Sequence, residues 1–152
     1  MDQTKKSGRY QRIYTQLQEL LTATSNREAR MATIAAVLHN KMDYFFWTGY
    51  YCLNENGELT VKSYQGPVAC QVLAKNTGVC WAAINRGEAI VVKDVHEFPG
   101  HIACDSRSNS EIVIPLKNPN GSIYGVLDVD SKEKAAFDET DERWLGRIVE
   151  LL

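Results

Sequence analysis

The sequence has no CxxC pair, no basic stripe and no long apolar run. Its most apolar window, YFFWTGYYCL over 44–53, is interrupted by Thr48 and Gly49. It falls well short of the roughly 18 residues that a membrane span requires. No apolar segment follows the early positive charges, so no secretory leader is expected. The expectation is a cytoplasmic protein with no membrane partner. Lys5, Lys6, Arg9 and Arg12 are separated by polar residues and read as a solvated helix face. With a net charge of −2, nothing predicts a nucleic-acid partner, because phosphate neutralisation needs clustered cations. Internal repeats, linkers and low-complexity segments are also lacking.

What is present fits one domain. A chain of 152 residues buries roughly 70% of the surface its unfolded form exposes, enough to fold without staples. The expected division is residues 1–24 as an N-terminal helix and 25–152 as the core. Ile13, Leu17, Leu20 and Leu21 share a face at helical spacing within 10–22. Thr24 or Ser25 would cap a second helix to about Asn40, with Glu28 completing a capping box. Residues 44–53 read as an aromatic-rich strand, 54–57 as a hairpin turn and 59–64 as the return strand. A short strand within 68–74 follows. Then comes a helix begun by Thr77 or Gly78 and stopped by Gly87, and a strand over 89–92. Residues 94–107 form a long irregular loop of the kind that often carries function. Strands over 111–116 and 122–129 flank a turn at 118–121. Asp138 or Thr140 caps a last helix running to Leu152. The pattern predicts an α+β domain with an antiparallel sheet, the N- and C-terminal helices on one side and a loop-walled pocket on the other.

The four cysteines stand apart, at 52, 70, 80 and 104. In a reducing compartment permanent disulfides are not expected, so each thiol is core, ligand or redox group. Cys52, in the aromatic strand, reads as a small buried hydrophobe. Cys70, Cys80 and Cys104 border the irregular middle. Cys80 starts a helix, where the dipole favours a thiolate. Cys104 lies near His101 and Arg107, which would lower its pKa, and beside Asp105, which would raise it. Cys70, Cys80, His96, His101 and Cys104 suffice in number for zinc, but their spacing is foreign to zinc fingers and ribbons. Neither a metal nor a cofactor is expected.

Glu111 opens one strand, and Asp128 and Asp130 end the next. Period two places both aspartates on one face and Leu127 and Val129 on the other. Such a group is either a solvated strand end or a site for an ammonium or a raised-pKa proton donor. Trp47 and Tyr51 share a face, as core or as an apolar box for a methyl group next to sulfur.

The segments WTGYY (47–51), QGPVAC (65–70), GVCWAA (78–83), DVHEFPGHIACDSRSNSEIVIPL (94–116) and GVLDVDS (125–131) resemble the GAF-domain enzymes that reduce free methionine-R-sulfoxide. The resemblance runs from the second helix to the last. Two departures are Trp81, where the family usually has glycine, and FWTGYY at 46–51 against the more frequent NWVGFY. The resemblance implies that a Cys104 thiolate attacks the sulfoxide sulfur and becomes a sulfenic acid. Cys70, or alternatively Cys80, then closes a disulfide that thioredoxin reopens. Glu111, Asp128 and Asp130 would hold the substrate ammonium, with Glu111 or Asp130 polarising the sulfoxide oxygen. Trp47 and Tyr51 would hold the methyl end, and backbone N–H groups of residues 100–107 the carboxylate. A homodimer is expected from the family. The rival reading is a non-catalytic GAF sensor that binds a small ligand in the same pocket.

Overall fold

The computed structural model describes residues 1–101 and 104–152. Its elements are α1 (Gln3–Leu20), α2 (Arg27–Lys41), β1 (Trp47–Leu53), β2 (Leu59–Gln65), β3 (Val72–Leu73), α3 (Gly78–Arg86), β4 (Ile90–Val92), β5 (Ser110–Lys117), β6 (Ile123–Ser131) and α4 (Glu139–Val149). Single 3-10 turns at Leu21–Ala23 and Val95–Glu97 complete the chain. The sheet has the order β3-β2-β1-β6-β5-β4, and every neighbouring pair is antiparallel. The α+β expectation holds. Among the described residues no helix is long and apolar enough to cross a membrane.

Strand alternation divides the molecule into two cores. Tyr50, Cys52, Ile112, Ile114, Leu127 and Val129 point toward α1, α2 and α4, where they meet Leu17, Ile34, Leu38, Leu145 and Ile148. Burying each such leucine or isoleucine contributes about 2 kcal/mol. The opposite face carries Trp47, Tyr51, Val113 and Val126, and α3 packs against it through Val79, Cys80 and Ala83. The pocket side is therefore walled by a helix as well as by loops. Cys52 is the buried hydrophobe its strand position predicts.

Several local expectations change. The first helix starts at Gln3, not near residue 10, because the Asp2 carboxylate accepts from the Lys5 backbone N–H at 2.8 Å. Lys6 is not on a solvated face but buried. Its Nζ donates to Asp141 Oδ2 at 2.6 Å and to the Ala136 carbonyl at 2.8 Å. Asp141 Oδ1 also accepts from Tyr10 at 2.7 Å and Tyr44 at 2.5 Å, which ties α1 to α4. The second helix is capped by Asn26 rather than Thr24 or Ser25, since Asn26 Oδ1 reaches the Ala29 N–H at 2.9 Å. The aromatic strand begins at Trp47 because Tyr44 and Phe45 turn into the helix-side core. Within 68–74 only Val72–Leu73 is strand. Thr77 precedes α3, and Gly87 ends it at φ 70°. The last helix opens on Asp138 with a full capping box to Asp141 and ends at Val149.

Candidate active site

The floor of the pocket is set by register. Glu111 on β5 pairs with Asp130 on β6, and Asp130 pairs with Trp47 on β1. One row along, Val113, Asp128 and Gly49 lie side by side. Gly49 is required there, because a Cβ would come within 2.7 Å of the Trp47 ring. Three carboxyl groups thus converge on one face. Glu111 and Asp128 are each 5% exposed. Asp130 is partly exposed over the whole residue, yet its carboxyl is packed among its neighbours, and that packing governs its acidity.

Burial raises the pKa of all three. The shift is large for Glu111, where the charges of Asp128 and Asp130 add to desolvation. For Asp128, the neighbouring Glu111 and Cys80 side chains pull the shift back in part. Glu111 also offsets part of the Asp130 shift in the same way. Glu111 and Asp130 are both pushed well above the usual carboxyl range and hold their protons most strongly, whereas Asp128, with the smaller shift, ionises most readily. Asp128 Oδ1 has no hydrogen-bond partner among the described residues. His101 Nε2 stands 3.8 Å from Glu111 Oε1, and burial lowers its pKa, so it is mostly neutral at pH 7.

The aromatic wall is a stack. Trp47 lies 5.8 Å from Tyr51 and 5.2 Å from Tyr64, both at low interplanar angles. The shared face expected of Trp47 and Tyr51 is present. Their polar ends hold the segment that carries Cys70. Trp47 Nε1 donates to the Pro67 carbonyl at 3.0 Å, and the Tyr51 hydroxyl donates to the Cys70 carbonyl at 3.0 Å. Burial and the carboxylates keep the Tyr51 hydroxyl protonated, hence a donor. Gly66, at φ 119°, lets this segment cross close to Phe46.

At the rim, Cys70 and Cys104 form a disulfide with their Cα atoms 5.6 Å apart. Cys52 and Cys80 are free and buried. The expectation of a helix-activated Cys80 thiolate is corrected here. Desolvation, then the charges of Asp128, Glu111 and Asp130, raise its pKa well above the usual thiol value. Those effects outweigh a dipole worth about 1 kcal/mol. Trp81 does not line the pocket but donates to the Leu73 carbonyl at 3.2 Å. Arg107 is engaged by Asp105 at 2.7 Å, which holds the Asp105 pKa down at about 2.

Phe46, Val68, Asp105 and Ser108 also line this pocket. None of these four was anticipated as a site residue. Tertiary packing brings in Phe46, Val68 and Ser108, whereas Asp105 lies in the long loop beside Cys104, which is a signal in the sequence. Of the 100–107 loop expected to bind a carboxylate, residues 102 and 103 lie outside the described residues.

A disulfide on the rim thus stands over a floor of three buried carboxyl groups. The chain belongs to the GAF domain family, whose model matches residues 18–152. It is 44% identical to GAF domain-containing protein A of Dictyostelium discoideum, over 97% of this chain and 92% of that one. It is 39% identical to the free methionine-R-sulfoxide reductase of Escherichia coli, over 86% and 78% respectively. The X-ray structure of free methionine-R-sulfoxide reductase from Neisseria meningitidis in complex with its substrate superposes with a TM-score of 0.92 at 38% identity. It covers 99% of this chain and 88% of that one. Reductases among the relatives and a disulfide-forming pair in this chain together support thiol-based reduction.

Proposed function

We propose that this protein reduces free L-methionine-(R)-sulfoxide to methionine. The observation that carries the reading is the Cys70–Cys104 disulfide above three buried carboxyls. In the reduced protein the Cys104 thiolate attacks the sulfoxide sulfur, and Glu111 delivers a proton to the sulfoxide oxygen. The sulfur–oxygen bond breaks, methionine leaves and Cys104 holds the oxygen as a sulfenic acid. Cys70 attacks that sulfur, water departs and the disulfide remains. A dithiol reductant of the thioredoxin type reopens it by exchange. Two thiols thus supply the two electrons that the sulfoxide accepts.

Asp128, joined by Asp130 once the approaching ammonium displaces its proton to solvent, neutralises the substrate ammonium, which offsets the cost of burying it. The Trp47–Tyr51 wall receives the methylthio end. A peptide-bound methionine sulfoxide lacks the free ammonium, so the carboxylates would be left uncompensated and peptides rejected. The protein works in the cytoplasm as a homodimer. Cys80, its thiol protonated at neutral pH, serves as an alternative resolving group only after the pocket rearranges.

The test is a thiol count on reduced protein. The R isomer should consume two thiols per chain and release one methionine, and the S isomer neither. Unchanged thiols with no methionine would overturn the reading in favour of a ligand-binding sensor.

A further inference from the structure

We propose that Cys80, Glu111 and Asp128 form a site for a thiophilic divalent cation, Zn2+ being the best match, and that occupancy shuts the pocket. The three residues come from α3, β5 and β6, and their ligand atoms lie within 4.8 Å of one another. Zinc binds thiolate at about 2.3 Å and carboxylate oxygen at about 2.0–2.2 Å, in tetrahedral geometry.

Two further observations point to a cation. Asp128 Oδ1 is buried without a partner, a state that costs about 1–3 kcal/mol for a polar group and more for a charged one. And among the described residues that line the pocket there is no lysine or arginine to partner that oxygen. His101, next to Glu111, adds a neutral imidazole on the same side. The thiol selects among cations, since Mg2+ and Ca2+ prefer all-oxygen sites whereas Zn2+, Co2+ and Cd2+ accept sulfur. On binding, one metal–sulfur and two metal–oxygen bonds form, and the protons of Cys80 and Glu111 pass to solvent; no electron is transferred.

Cys70 and Cys104 are joined to each other, so they take no part. The oxidised protein keeps the site. Its only thiols among four cysteines are Cys52 and Cys80, and this makes the test clean. The claim that zinc competes with substrate rests on the proposed reductase reading, whereas the claim that the metal binds does not.

The experiment titrates Co2+ into the oxidised protein and follows the near-ultraviolet thiolate-to-cobalt charge-transfer band. The expected result is saturation at one equivalent, with Zn2+ bleaching the band. Cys80→Ser should abolish it, Asp128→Asn should weaken cobalt binding at least tenfold, and Cys52→Ser should leave it intact. Circular dichroism checks that each variant is folded. A band absent from the unmodified protein, or persisting in Cys80→Ser, overturns the site. In a parallel assay on reduced protein, Zn2+ should raise KM for methionine-R-sulfoxide with little change in kcat. An inactive protein that still gives the cobalt band retains the metal site and loses the reductase reading. An active protein without the band does the opposite.

Discussion

Glu111 lies directly opposite Asp130 across the β5–β6 pair, two carboxyl groups held face to face on the pocket floor. Like charges in cross-strand register are destabilising, and burial sharpens the effect. The arrangement persists in a folded protein only if protons or a cation neutralise it. That condition links the protein's stability to its chemistry.

Glu111→Gln should separate the two. As a proton donor Glu111 contributes roughly 100-fold or more to rate, so kcat/KM should fall by that order. The stability effect runs the other way. Glu111 has a folded pKa raised above its unfolded value near about 4.3. Between those two values the folded state holds a proton that the unfolded state has lost, so stability declines as pH rises. Glu111→Gln should flatten that decline and raise Tm at pH 8, measured by thermal denaturation across pH 4–9. An unchanged Tm-versus-pH slope would remove Glu111 as its source.

Replacing Cys70 should stop the cycle midway. Cys70→Ser should still release about one methionine per chain in a single turnover. It should accumulate a sulfenic acid on Cys104, trapped by dimedone and located by mass spectrometry. Cys104→Ser should release none. Methionine release from Cys104→Ser would reassign the attacking thiol.

The Tyr51 hydroxyl ties the aromatic wall to the Cys70 carbonyl. A hydrogen bond of this kind is worth about 1 kcal/mol. Tyr51→Phe should therefore slow disulfide closure by about fivefold in stopped-flow thiol measurements. Methionine release in the first turnover should change less. Equal slowing of both steps would show that the ring, not the tether, matters.

Lys6 and Asp141 form an almost fully buried pair, with side chains 4% and 0% exposed. Removing one partner strands the other, at a cost of about 3–5 kcal/mol. Lys6→Met should lower Tm by about 10 °C for a domain of this size, with the active-site chemistry intact at low temperature. A loss under about 1 kcal/mol in denaturant melts would show that α1 is held by its apolar face alone.

Local signals in the sequence were read well where neighbours decide the outcome. Gly87 as helix stop, Asp138 as one of the two caps offered for the last helix and the hairpin turn at 54–57 follow from short-range chemistry and appear in the structure. The common face of Asp128 and Asp130 followed from strand periodicity. The pattern within α1 places Lys6 on a solvated face, but its partners lie 130 or more residues away and draw it inside. No pattern within α1 announces them. The tethers from Trp47 and Tyr51 to the 67–70 segment were missed for the same reason, since both span about 20 residues of chain.

The sequence by itself determined the residue types of the candidate site, the strand faces on which they fall and the resemblance to a reductase family. Those properties depend on local periodicity and on motif content. Only the tertiary structure decided that Cys104 meets Cys70 and that Cys80 is drawn beneath them toward Glu111 and Asp128. The pairing turns on how the 66–71 segment is pinned over the aromatic wall. The acidity of Cys80 turns on how closely α3 packs on the sheet. Both are distances between segments remote in the chain, set by packing of the whole fold.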